Sequence, residues 1–170
     1  MEGKRSSCPI NRGVEFLGDR WSLLILRDMA FVGSHGFREL LASSQEGISP
    51  STLSARLKSL EWSGLVSKIG APRGHQGSYT LTEEGIQLVP LLFELAHIGS
   101  MLDPTTRSTE PRFQGWYGDA EKIAAYMDEL REREGLTPST NAAVESPQEP
   151  PPTSRMERQG SRDLDRAREK

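Results

Sequence analysis

Across a single glycine, the apolar period of this chain changes from helical to alternating. Ser49-Pro50 can open a helix, with Ser49 as cap and Pro50 in the first turn. Leu53, Leu57 and Leu60 then recur at helical spacing, and Gly64 supplies a stop. Residues 65–69 and 78–82 read as two short strands. Between them lies the breaker-rich run Gly70-Ala-Pro-Arg-Gly-His-Gln-Gly77. A lone two-stranded hairpin is marginal in water, so this one must share a core with helices.

Those helices precede it. Cys8-Pro9 starts the first, with Ile10, Val14 and Leu17 as its apolar stripe. Gly18-Asp19 interrupts the pattern, and Asp19 caps a second helix over about residues 20–31. Trp21 and Leu23–Leu26 make that helix apolar nearly all round, so it is expected to be the central one, with Trp21 in the core. Phe37, Leu40 and Leu41 mark a short third helix. The fold class expected is mainly α with a small β-hairpin: a winged helix-turn-helix with dimerisation helices and a disordered C-terminal tail.

After the hairpin, Thr82 caps a helix expected over residues 82–98, with Glu83 and Glu84 at its positive end. Pro90 lies inside it and is expected to kink it. Residues 104–115 read as linker, and Asp119 caps a last helix to about Glu134 with Ile123, Tyr126, Met127 and Leu130 on one face. The division expected is a flexible N-terminus over 1–7, the winged helix-turn-helix over 8–106, a linker and accessory helix over 107–136, and a disordered tail over 137–170, where Pro, Ser, Glu and Arg dominate.

Charge and composition narrow the function. The 170-residue chain has a formal net charge of −3, which argues mildly against nucleic acid. The distribution argues the other way. From Ser49 to His75, Arg56, Lys58, Lys68 and Arg73 face Glu61 alone. A single cysteine forms no internal disulfide, which fits a reducing cytoplasm. The richest apolar stretch, 88–98, is short and carries Glu94 and His97, so no membrane span and no membrane partner are expected; nor is a signal peptide in the charged 1–7. His35, His75 and His97 lack metal spacing, and no phosphate loop, dinucleotide fingerprint or nucleophile elbow is found, so neither cofactor nor enzyme activity is expected.

The third and fourth helices have helix-turn-helix proportions, and the hairpin is a wing. In such motifs the second helix reads bases in the major groove. With its leucines buried, helix 50–63 presents Ser51, Ala55, Lys58, Ser59 and Trp62, flanked by Thr52, Ser54 and Arg56. Ser49, Ser51, Thr52, Ala55, Arg56, Lys58 and Ser59, with Lys68, Arg73 and His75 of the wing, form the expected DNA-binding set.

Several segments resemble the HxlR family of winged-helix regulators. They include Cys8-Pro-Ile-Asn, Gly18-Asp-Arg-Trp-Ser-Leu-Leu-Ile-Leu-Arg27, Phe37-Arg-Glu-Leu-Leu, Gly47-Ile-Ser-Pro-Ser-Thr-Leu-Ser-Ala-Arg-Leu57 and Tyr79-Thr-Leu-Thr-Glu-Glu-Gly85. The resemblance implies a cytoplasmic homodimer on a palindromic DNA operator, with repression the preferred sign and the small-molecule effector open. Two departures stand out. Family members often carry a longer polar side chain where this chain has Ala55, and the stretch after Pro104 exceeds the usual family tail. Some members sense oxidants or electrophiles through a cysteine at the place of Cys8. Here Cys8 sits at a helix start beside Lys4, Arg5 and Arg12, a setting that favours its thiolate, and a buried, inert cysteine is the alternative. Helix 82–98 is apolar on more than one face, and Leu88, Leu92 and Leu95 are its expected dimerisation residues. Helix 119–134 folding back over that face within one chain is the competing arrangement. Two rival functions remain open, a protein-interaction module without DNA binding and a thiol enzyme using Cys8.

Overall fold

The structure is a computed structural model and describes residues 7–70, 77–106 and 110–136. The wing residues 71–76, most of the N-terminal segment and the tail 137–170 lie outside it. Four helices lead into the hairpin: α1 (Pro9–Leu17), α2 (Arg20–Arg27), α3 (Phe37–Ser43) and α4 (Pro50–Trp62). Strands β1 (Val66–Ile69) and β2 (Ser78–Leu81) pair antiparallel, with Val66 opposite Leu81 and Ile69 opposite Ser78. Then come α5 (Glu83–Ile86), α6 (Val89–Leu102), the single turn α7 (Arg112–Gly115) and α8 (Ala120–Arg133).

Local chemistry sets the helix ends. The Asp19 carboxylate accepts from the backbone N–H of Trp21 and Ser22, and from the buried Ser22 hydroxyl. Ser49, Thr82 and Asp119 cap their helices in the same way. Gly64 closes α4: it sits at φ 75°, and the Leu65 and Gly64 N–H groups reach the carbonyls of Leu60 and Glu61. Loss of the Asp19 cap by Asp19→Ala should cost about 1–2 kcal/mol, read from urea unfolding.

Leu53, Leu57 and Leu60 are fully buried and meet Ile25, Leu26, Met29 and Leu40. The segment ahead of α3 joins the wing: the Tyr79 N–H donates to the His35 carbonyl at 2.8 Å, and the His35 ring meets the Tyr79 carbonyl at 2.9 Å. Where Gly85 passes β1, a Cβ would fall 2.2 Å from the Leu65 carbonyl oxygen, so only glycine fits.

Three features depart from the sequence reading. The expected central helix is regular only to Arg27 and continues as one wider, π-helical turn, Asp28–Val32. Its Leu23 and Leu24 are half-exposed. The helix expected over 82–98 is two helices with a break at Gln87-Leu88, and the second runs on to Leu102. Pro90 therefore kinks nothing. It stands in the first turn of α6, where its missing N–H has no partner to lose, whereas a mid-helix site would cost about 3 kcal/mol. Finally, the expected linker contributes α7, whose Phe113 packs on the core together with the following Trp116.

The accessory helix folds back onto the head, yet it leaves Leu91, Leu95 and Ile98 of α6 exposed. Tyr126, Met127 and Leu130 of α8 are buried. Tyr126 donates to the Ala30 carbonyl at 2.6 Å, and Arg133 donates to the Ala30 and Met29 carbonyls at 3.1 and 2.8 Å. Arg131 grips Glu83 of α5 through two bonds of 2.8 and 2.6 Å and holds that carboxyl below its ordinary value. A carboxyl depressed in the folded state stabilises above its unfolded pKa and loses that contribution as pH falls through its folded one. Wild-type stability should therefore fall more on acidification than that of Glu83→Gln, by thermal melts across pH 3–6 (about the carboxylate range).

The run Glu83–Leu102 spans 20 residues and contains an 18-residue window of mean hydropathy 1.4, a length and composition that core helices also reach. Its Ile86, Val89 and Phe93 belong to the core of the head.

Candidate nucleic-acid interface

One side of α4 is walled off by its leucines; the other faces solvent. Ser51, Ala55, Lys58 and Ser59 are exposed, and Thr52, Ser54 and Arg56 flank them half-buried. The Ser49 hydroxyl is engaged in the cap, 3.2 Å from the Thr52 N–H and 2.8 Å from the Thr52 hydroxyl. Trp62 is half-buried, its ring 6.1 Å from that of Phe16 in α1, with the Arg12 guanidinium 4.5 Å over Phe16. It ties the end of the reading helix to α1.

Arg56 is held back. Its Nε lies 3.3 Å from the Asp19 carboxylate and is buried without a hydrogen bond. The carboxylate that caps α2 thus also neutralises one cation beside the reading face. Lys58 keeps its exposure, and Lys68 stands on β1 with its ammonium 5.8 Å from the Tyr79 ring. Arg73 and His75 lie outside the described residues. Cys8 is exposed at the cap position of α1, rather than buried under it.

The three expected dimerisation residues separate. Leu92 is 7% exposed within one chain, Leu88 is half-buried against the core, and Leu95 is exposed. The open stripe of α6 consists instead of Leu91, Leu95, Ile98, Met101 and Leu102. On α1, Ile10 and Val14 of the predicted stripe are exposed as well.

Three helices, a leucine-backed α4 and a hairpin directly after it define a winged helix-turn-helix. The family described as HxlR-like helix-turn-helix matches residues 16–106. The HTH-type transcriptional regulator sll1512 of Synechocystis sp., itself uncharacterised, is 34% identical over 94 residues, covering 55% of this chain and 68% of that protein. The uncharacterised HTH-type transcriptional regulator Mb3122 of Mycobacterium bovis is 31% identical over 136 residues, 76% of this chain and 83% of that protein. The crystal structure of PA1607, described as a candidate transcription factor, superposes with TM-score 0.56 at 34% identity, covering 64% of this chain and 76% of that one. The class is that of winged-helix transcriptional regulators. Within it, the chain belongs to the HxlR-like helix-turn-helix family.

Proposed function

We propose that this chain is a sequence-specific, cytoplasmic DNA-binding regulator that acts as a homodimer on a palindromic operator, with repression as its sign. The observation that carries the reading is α4, which turns hydroxyls and Lys58 outward while three leucines anchor it from behind. Ser51, Thr52, Ala55 and Ser59 are short enough for base edges to approach closely, and Lys58 and Lys68 suit phosphates. Arg73 and His75 extend the set at the wing. Arg56 contributes after exchanging Asp19 for a phosphate.

The homodimer rests on the apolar stripes of α6 and α1. Exposed apolar surface of this kind marks interfaces, and paired heads read half-sites about one DNA turn apart. Cys8 is the candidate for redox or electrophile response. Oxidant should change DNA affinity in the wild type and not in Cys8→Ser; the same response in both removes Cys8.

The test is a mobility shift with the protein's own upstream DNA. Affinity should fall steeply with salt, and Lys58→Ala should weaken binding and lower the salt slope by about 1. Arg56→Ala should do less, since breaking its ion pair already opposes DNA contact. If the dimer ignores DNA at low salt and instead holds a protein without salt dependence, the interaction-module reading replaces this one.

A further inference from the structure

A cleft of about 450 Å³ opens between α2, the turn before α4, α6 and residues Thr106, Glu110 and Phe113. Its lining is largely apolar and includes Leu24, Leu92 and the Phe31–Phe113 pair, whose rings pack edge to face 4.5 Å apart. Drug-sized ligands occupy sites of about 300–1,000 Å³ with such walls and a few polar groups.

The charges at its rim are closed upon one another. The Arg27 guanidinium spends Nη1 and Nη2 on Glu46 at 2.6 and 2.9 Å and Nε on Asp28 at 2.9 Å. Glu110 is held by Arg112 Nε at 2.6 Å. An anionic or cationic guest would have to break one of these pairs. The polar side chains left are neutral, the Gln45 amide and the Ser100 and Thr106 hydroxyls. Gly99 borders the cleft, and a Cβ there would meet nothing within 4 Å.

We infer that this cleft binds an uncharged aromatic small molecule, seated against the packed Phe31–Phe113 pair with its polar handle toward Gln45 and Ser100. A second copy of the chain fits the cleft less well. Leu95 belongs to both the stripe and the cleft, whereas at about 100° per residue Gly99 and Ser100 lie roughly 80° and 180° around α6 from Leu91, so a dimer formed on the open stripe borders the mouth without lining its far wall. The site is also placed to influence α4. Glu46 stands three residues before the Ser49 cap, and its partner Arg27 ends α2, so a guest against that pair bears on the turn that starts the reading helix. This regulatory consequence rests on the DNA-binding reading; occupancy of the cleft does not.

The experiment uses two fluorescent probes on one ring skeleton, neutral N-phenyl-1-naphthylamine and its sulfonate, 1-anilinonaphthalene-8-sulfonate, with the full chain. The neutral probe should bind at one per chain with enhanced, blue-shifted emission, and the sulfonate at least tenfold more weakly. Gly99→Phe should abolish uptake while leaving the melting midpoint and oligomeric state unchanged; Ala96→Phe, filling the same cleft, is the second variant. Uptake that survives both, equal binding of the sulfonate, or uptake confined to dilutions where the dimer has dissociated would each overturn the proposal, the last by showing that a second copy fills the cleft. Saturating neutral probe should shift affinity for the upstream DNA at least threefold in the wild type and not in Gly99→Phe. An unchanged affinity with intact uptake overturns the coupling alone, and uptake without any DNA binding overturns the DNA reading while leaving the site.

Discussion

Replacing Phe93 by alanine should lower stability by about 3–5 kcal/mol. On a chain of this size that is a fall in melting temperature of roughly 10–20 °C. Phe93 is 1% exposed and joins the head to the appended segment. Its ring lies 5.6 Å from Phe31 of the π turn, 5.5 Å from Phe113 and 6.3 Å from Trp116. Aromatic pairs at these separations add about 0.5–1.5 kcal/mol each beyond the area they bury. Alanine therefore opens a cavity and breaks ring contacts to both sides at once. Phe93→Leu, which keeps most of the volume, should lose far less. Guanidinium unfolding of the two variants checks this, and a loss below about 1 kcal/mol for alanine would mean the extension packs without help from this ring.

The second large effect is on assembly. Ile98→Glu places a charge in the open stripe of α6, at a side chain 42% exposed in the single chain, so the fold of each chain should survive. The dimer should not. A pair of heads on a palindrome gains about 10²–10⁴ in affinity over one head, and the variant should lose DNA affinity by about that factor while sedimenting as a monomer. The loss should be greater than that of Lys58→Ala, because the reading face is short-chained and carries little charge of its own. A variant that remains dimeric would move the contact to Ile10 and Val14 of α1, where Val14→Glu is the corresponding change.

The parts of the fold set by near neighbours in the chain were legible in the sequence. Asp19, Ser49, Thr82 and Asp119 announce their helices because a cap bonds N–H groups only two or three residues away. The leucine stripe of α4 and the switch to alternation after Gly64 were likewise local. Contacts between distant residues were not. Nothing in the spacing pairs Asp19 with Arg56, Arg27 with Glu46, or Tyr126 with the Ala30 carbonyl. The packing of α6 against the core decided which of its positions stayed open, and with it the places of Leu88 and Leu92. The break before α6 did leave a signal, since proline is favoured in a first turn and Val89-Pro90 could have been read as a start.

The π turn at Asp28–Val32 has a consequence for any shortened form of the protein. The Met29 and Ala30 carbonyls lie in that last turn, where a helix leaves its carbonyls unpaired, and Tyr126 and Arg133 donate to them. A chain cut at residue 106 would keep every segment of the helix-turn-helix and still leave two carbonyls without their side-chain donors and Phe31 and Phe93 with no ring partner but each other. Its head would then be a weaker object than the same residues in the whole chain, and affinities measured on it would report that weakness together with DNA recognition.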